Sequence, residues 1–156
     1  MDRPDISIYH TDMPDRYHLQ RFVDAQSGIY DEVCAELRQG RKQSHWIWFI
    51  FPQIQGLGHS RTAIRFAISS REEAVAYLDH PILGPRLREC THLVTLVEGH
   101  RISQILGYPD DLKFRSSMTL FANVTADNQV FLDALQKFFA GEFDPLTMER
   151  LRTDQA

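Results

Sequence analysis

The sequence predicts an all-α fold, a multi-helical single globular domain, and three observations carry that expectation. Apolar residues recur at spacings of three and four along most of the chain. Helix punctuation is frequent: Ser60 and Ser70 precede such stretches, and Gly40, Gly99 and Gly141 follow them. No alternating apolar–polar run long enough for a half-buried strand occurs.

The elements follow in order. Residues 1–14 carry Pro4, Pro14 and several aspartates without periodicity, and read as a flexible N-terminal leader. The domain is expected over residues 15–152. Leu19, Phe22, Val23, Gln26, Tyr30, Val33 and Leu37 form the first apolar stripe. Ser27-Gly28 can divide it into two helices, and Gly40 ends it, because glycine takes the left-handed conformation without a Cβ clash. Both tryptophans and two of the ten phenylalanines then fall within Trp46 to Phe51. Periodicity alone leaves this run open between buried strand and buried helix. Its all-helical surroundings favour helix, with Ser44 as N-cap and Pro52 as the stop.

Ser60 is expected to cap the next helix, with Ala63, Ile64, Ala67 and Ile68 inward. Ser70-Arg71-Glu72-Glu73 reads as a capping box opening a helix that ends near Asp79. His80-Pro81 breaks the chain, and Gly84-Pro85 suits a new start. Leu83, Leu87, Cys90, Val94 and Val97 make its stripe, and Gly99 stops it. A short turn of helix is expected over 103–106. Asp111 is expected to cap a helix running through Lys113, Met118 and Phe121. Phe131, Leu135, Phe138 and Phe139 mark another, and Asp144-Pro145 starts the last.

Composition excludes several classes of function. The 156 residues are 43% hydrophobic and 24% charged, with a formal net charge of −4. A sequence-independent nucleic-acid binder carries a basic stripe. Here the nearest is Arg38, Arg41 and Lys42, which reads as a solvated helix end. Nucleic acid is therefore not an expected partner. The longest fully apolar run falls far short of the ~20 residues of a membrane span. Met1 to Asp5 lack an apolar signal region, so the cytoplasm is the expected location and no membrane partner is expected. Nothing in the sequence sets monomer against dimer. The seven histidines contain no pair at spacing three or four, and no Cys/His cluster exists, so no metal and no cofactor are expected. Cys34 and Cys90 can pair only if the fold brings them together; each lies on an apolar helical phase and reads as a buried reduced thiol.

Three polar segments beside dense apolar ones are candidates for chemistry. Lys42 to His45 leads into the tryptophans, and His45 is the candidate catalytic residue because histidine titrates near neutrality. The competing reading makes His45 a capping or core residue. Gly56-Leu57-Gly58-His59-Ser60-Arg61 lets backbone approach a ligand before a helix start, with Arg61 to favour an anion. It lacks a Walker ending, and a plain turn is the competing reading. On a helix, Lys113, Ser116 and Ser117 share a face. They suit a phosphate or carboxylate cradle, or a serine activated by lysine. Alternatively, Ser116 and Thr119 bond back to carbonyls one turn earlier.

The motifs carry a resemblance. Gly40-Arg41-Lys42, Ser44 through Gln53, Gly56-Leu57-Gly58 and Ser60 form one block. Glu73-Ala74, Ala76-Tyr77-Leu78, His80-Pro81, Leu83-Gly84, Arg86-Leu87 and Glu89 form a second, and Lys113 with Ser116 through Phe121 a third. Over about Tyr17 to Leu151 the chain resembles the bacterial domain-of-unknown-function family eighteen-ten. The resemblance implies an all-α fold and supplies no activity. Members sometimes carry the label calpastatin, but the calpain inhibitor of that name is disordered, proline-rich and poor in aromatics. This chain is 11% aromatic with a clear core pattern. A similarity of plan, not anchored to particular residues, also extends to the NADAR group, linked to ADP-ribose and N-glycosidic chemistry.

The leading functional expectation is a polar-lined pocket for a small anionic ligand, a nucleotide or sugar phosphate. Trp48 would stack on a ring and Gln53 would read polar edges. Arg61 and Lys113 would hold the anion beside Ser116 and Ser117. If the protein is an enzyme, a hydrolase or N-glycosidase acting through His45 is the first expectation. The alternative is a non-catalytic interaction or structural module.

Overall fold

The computed structural model describes residues 14–155; the predicted leader, apart from Pro14, lies outside the described residues. Among these, ten helices follow one another: α1 Gln20–Gln26, α2 Tyr30–Arg38, α3 Ile47–Ile50, α4 Arg61–Arg65, α5 Arg71–Asp79, α6 Leu83–Leu96, α7 Ile102–Leu106, α8 Asp110–Ala122, α9 Gln129–Phe139 and α10 Pro145–Gln155. The fold is all-α.

Helix α8 is the axis. Phe114 and every residue from Ser116 to Ala122 are buried, so the helix is enclosed nearly all round, as a central helix must be. It feeds two runs of aromatic rings. One passes from Phe49 through Phe66, Phe22, Tyr77 and Phe121 to Phe131, with successive centroids 5.0 to 5.9 Å apart. The other runs from Trp46 through Phe51 and Phe114 to Phe139. Edge-to-face contacts such as Phe51–Phe114, at 4.8 Å and 83°, suit the ring quadrupole and add to apolar burial.

Several expected boundaries hold for the expected reasons. Ser27-Gly28 separates α1 from α2, and Gly28 takes φ +80°. After α2, Gly40 takes φ +73° while its N–H and that of Arg41 donate to Leu37 and Glu36 carbonyls. Ser60 Oγ accepts from Ala63 N–H, and Ser70 Oγ accepts from Glu73 N–H. Gly84 is required by packing. A Cβ there would lie 2.0 Å from the Leu78 carbonyl oxygen, so α5 and α6 meet backbone to backbone.

Other expectations need correction. The tryptophan block is one helical turn, and Ser44 does not cap it; its hydroxyl donates to Glu36 instead. The capping box at Ser70 is half-formed, because the Glu73 carboxylate accepts from Ser69 N–H and Oγ rather than reaching back to Ser70. Asp111 does not cap α8, which begins one residue earlier. Helix α6 starts at Leu83 and stops at Leu96, ahead of both predicted signals. The helix after Ser60 is only five residues long, and Ile64 is 65% exposed. The chain instead leaves the helix to bury Phe66 and Ile68. Ile68 joins Ile54 in an isolated parallel bridge: Ile68 N–H donates to Gln53 O and Gln55 N–H to Ile68 O, both at 2.8 Å. Among the described residues, no helix is long and apolar enough to cross a membrane.

Candidate functional site

The site is built on a loop that one buried carboxylate holds. Glu36, in the last turn of α2, is 5% exposed. It accepts from Gln43 N–H at 2.6 Å, Ser44 N–H at 2.9 Å, Ser44 Oγ at 2.7 Å and Trp46 Nε1 at 3.1 Å. Burial by itself pushes its carboxyl pKa up. The four bonds to the ionised form outweigh that, and hold it below the usual carboxylate range. Lys42 N–H donates to Ile105 O at 2.7 Å, which ties the same loop to α7. His45 is thereby presented on a fixed backbone. Its side chain is exposed and makes no hydrogen bond or ion pair among the described residues.

Two lysines converge next to this loop. Asp110, in the first turn of α8, bridges Lys42 Nζ at 2.9 Å and Lys113 Nζ at 3.6 Å. Each ammonium also lies over a tryptophan: Lys42 is 5.1 Å from the Trp46 ring and Lys113 is 5.0 Å from the Trp48 ring. The ring faces attract cations, more strongly where water is thinned. Lys42 is therefore not a solvated helix end, as its side chain is 8% exposed. Lys113 is the open member, at 25%. Two ammonium groups share one carboxylate, so the trio carries a formal charge of +1.

Around Lys113 the polar atoms are unfinished. Buried polar groups are nearly always hydrogen-bonded. Among the described residues, three buried side-chain polar atoms lack a partner: Trp48 Nε1, Ser117 Oγ and Arg71 Nε. The first two belong to the residue beneath Lys113 and to the residue one turn along the same face of α8. Trp48 and Gln53 also line a cavity of about 10 Å³, with Gly56, Gly58 and Ala63 behind it. That is the space of one water. The Gln53 carboxamide makes no hydrogen bond among the described residues.

The other predicted residues are placed elsewhere. Ser116 Oγ has one proton to share between Asp144 Oδ2, at 2.9 Å, and Leu112 O, at 3.2 Å, which spends it on the α8–α10 junction. Arg61 is exposed at the start of α4 and makes no ion pair among the described residues. Both glycines before it serve packing. A Cβ on Gly56 would meet the Arg150 guanidinium at 2.5 Å, and one on Gly58 would meet Ala63 Cβ at 2.7 Å. Among the described residues, no group of three or more His, Cys, Asp or Glu side chains could hold a metal. A wider cavity of about 550 Å³ lies between Asp15–Gln20 and the end of α5, and none of the candidate residues lines it.

Sequence reasoning missed Glu36 and the joining role of Asp110. Glu36 reads as one more charge in a helix's last turn. Its partners follow after the chain has turned at Gly40, and only the dense polar run before Trp46 hints that an acceptor is needed.

The comparisons agree with this fold. The family model described as "Protein of unknown function (DUF1810)" matches residues 16–151. A crystal structure of the conserved hypothetical protein Rv1873 from Mycobacterium tuberculosis is similar at 54% identity and a TM-score of 0.88, covering 88% of this chain and 99% of that one. No functionally curated protein matches the chain.

Proposed function

The chain belongs to the DUF1810 family of proteins of unknown function, and on that premise we propose that the patch around Trp48 and Lys113 binds a small anionic ligand, a nucleotide or a sugar phosphate. One observation carries this reading: the buried donor Trp48 Nε1 lacks an acceptor beneath a partly neutralised ammonium, and one turn along α8 the buried Ser117 Oγ lacks a partner as well. An anion's oxygens supply what all three lack. Charge-assisted bonds of this kind are roughly twice as strong as neutral ones. The Gln53 carboxamide then reads a polar edge. Arg61, exposed two residues before the Ala63 that lines the Trp48 cavity, is the outer cation that would reach toward such a ligand. His45 supplies acid–base chemistry if the bound ligand is hydrolysed or its N-glycosidic bond is cleaved. Ser116 supports the cradle from behind.

A thermal-shift titration with ADP-ribose, nucleotides and sugar phosphates tests the reading. One of them raises the melting temperature in proportion to log concentration, as binding linkage requires. Lys113→Ala weakens that binding about tenfold or more, since a charge-assisted bond is worth about 1.5–3 kcal/mol. Trp48→Phe keeps a ring and removes the donor, and weakens it less. A flat response to every compound, or wild-type binding by both the Lys113→Ala and the Arg61→Ala proteins, sinks the proposal in favour of a non-catalytic interaction module.

A further inference from the structure

The fold brings together two cysteines that are distant in sequence. Cys34 on α2 and Cys90 on α6 are both buried and unbridged, and each bonds to one member of the same Tyr30–Glu89 pair. A polar pair closes around them. Tyr30 Oη donates to Glu89 Oε1 at 2.5 Å. Cys34 Sγ donates to the same carboxylate oxygen at 3.6 Å, and Cys90 Sγ to Tyr30 Oη at 3.8 Å. Glu89 is exposed, Tyr30 is half-buried and the Arg86 guanidinium lies 4.5 Å over the Tyr30 ring. The thiols are therefore roofed by polar side chains rather than sealed in the aromatic core. None of these residues belongs to the lysine patch.

We propose that Cys34 and Cys90 form a dithiol site for a small hydroperoxide, with Cys34 as the attacking sulfur and Cys90 as the resolving one. In the first step Cys34 gives its proton to Glu89, and the thiolate attacks one peroxide oxygen. An S–O bond forms and the O–O bond breaks. The departing hydroxide takes the proton from Glu89 and leaves as water. In the second step the Cys90 sulfur attacks Cys34 Sγ. An S–S bond forms and the S–O bond breaks, and the departing hydroxide leaves as water with the Cys90 proton. Two thiols are oxidised by two electrons and hydrogen peroxide is reduced to two waters.

The electrostatics assign the same roles. Cys34 is lowered to about 7, chiefly by the hydrogen bond from Cys90, against burial and with help from Tyr30. Cys90 is pushed up, by its bond to Cys34 and then by burial. Tyr30 is pushed up as well, mainly by burial, and stays a neutral donor. Both directions favour Cys34 over Cys90 as the thiolate, the form that reacts with peroxide.

The test exposes the full chain to hydrogen peroxide and reads intact mass and free thiols without reductant. The expected product is a monomer lighter by two hydrogen masses, with no thiol titratable after unfolding. Cys90→Ser stops at the first step, gains one oxygen mass and forms an adduct with a sulfenic-acid trap. Cys34→Ser keeps its Cys90 thiol at least tenfold longer than the wild type. Two outcomes overturn the proposal. In one, the wild-type chain keeps both thiols under peroxide that fully oxidises glutathione; in the other, Cys34→Ser loses Cys90 at the wild-type rate. The wild-type mass reading stands even if a variant fails to fold.

Discussion

Arg21 and Lys113 are both cations lying over an aromatic ring, yet their surroundings are opposite. All five guanidinium N–H groups of Arg21 are used. They donate to the carbonyls of Tyr17, His18, Arg65 and Ala67 and to Glu73 Oε2, the last at 2.9 Å. Glu73 in turn accepts from Ser69 twice. Lys113 shares a single carboxylate with Lys42 and lies over Trp48, whose Nε1 has no partner; one turn along the helix, the buried Ser117 Oγ has none either. The first region is closed, and every bond in it fixes one part of the chain against another. The second is open. A cation on an aromatic face does not by itself mark a site; the state of the polar atoms around it does.

The largest effect should come from breaking the closed region. Glu73→Ala leaves the Arg21 charge buried and unpaired, and should cost on the order of 3–5 kcal/mol, a fall of about 10 °C or more in melting temperature. A loss under about 1 kcal/mol would place Arg21–Glu73 among ordinary surface pairs and erase the contrast.

Glu36 comes next, since it belongs to the closed type while holding the loop of the open one. Glu36→Ala strands four donors and should cost about 3 kcal/mol. Its folded pKa lies below the unfolded one, so the unfolded chain binds more protons through the acid range. The stabilisation is therefore complete above the ordinary carboxylate range, and is lost as pH falls through the depressed folded value. An acid titration of melting temperature should show this limb in the wild type. Glu36→Gln should flatten it.

The smallest effects belong to the open patch. Ser117→Ala removes a hydroxyl with no partner and should change stability by no more than about 0.5 kcal/mol. Lys113→Ala should cost about 1 kcal/mol or less. Chemical denaturation of the free protein measures both. A loss from Ser117→Ala as large as that from Glu36→Ala would show that the patch is packing and not a site.

How much of this was legible depended on distance along the chain. The Ser27-Gly28 break, the Ser60 and Ser70 caps and the Gly40 turn are local, and the residues that make them stand together in the sequence. The grouping of Lys113 with Ser117 is also local, since helix geometry sets it. What could not be read was any pairing that the tertiary fold creates. Lys42 with Asp110, Cys34 with Cys90 and Ser116 with Asp144 are joined only once the helices pack. Helix α4 was overextended because Ala63, Ile64, Ala67 and Ile68 fit helical spacing, while the bridge to Ile54 claimed Ile68 for an extended backbone instead.

That bridge has a consequence for local cooperativity. It clasps the ends of a compact excursion, residues 55–67, whose helix buries none of its own residues. Ordering each residue of such a stretch costs about 1–2 kcal/mol of conformational entropy, and little burial offsets it before Arg65, after which Phe66 returns to the core. Segments of this kind open as units while the core stays folded. The part of the excursion before Arg65 can thus open and reclose while the bridge, the Arg21 bonds and the Phe66 ring contacts stay in place, and Arg61 travels with it, so that this cation can change its neighbours at no expense to the aromatic core.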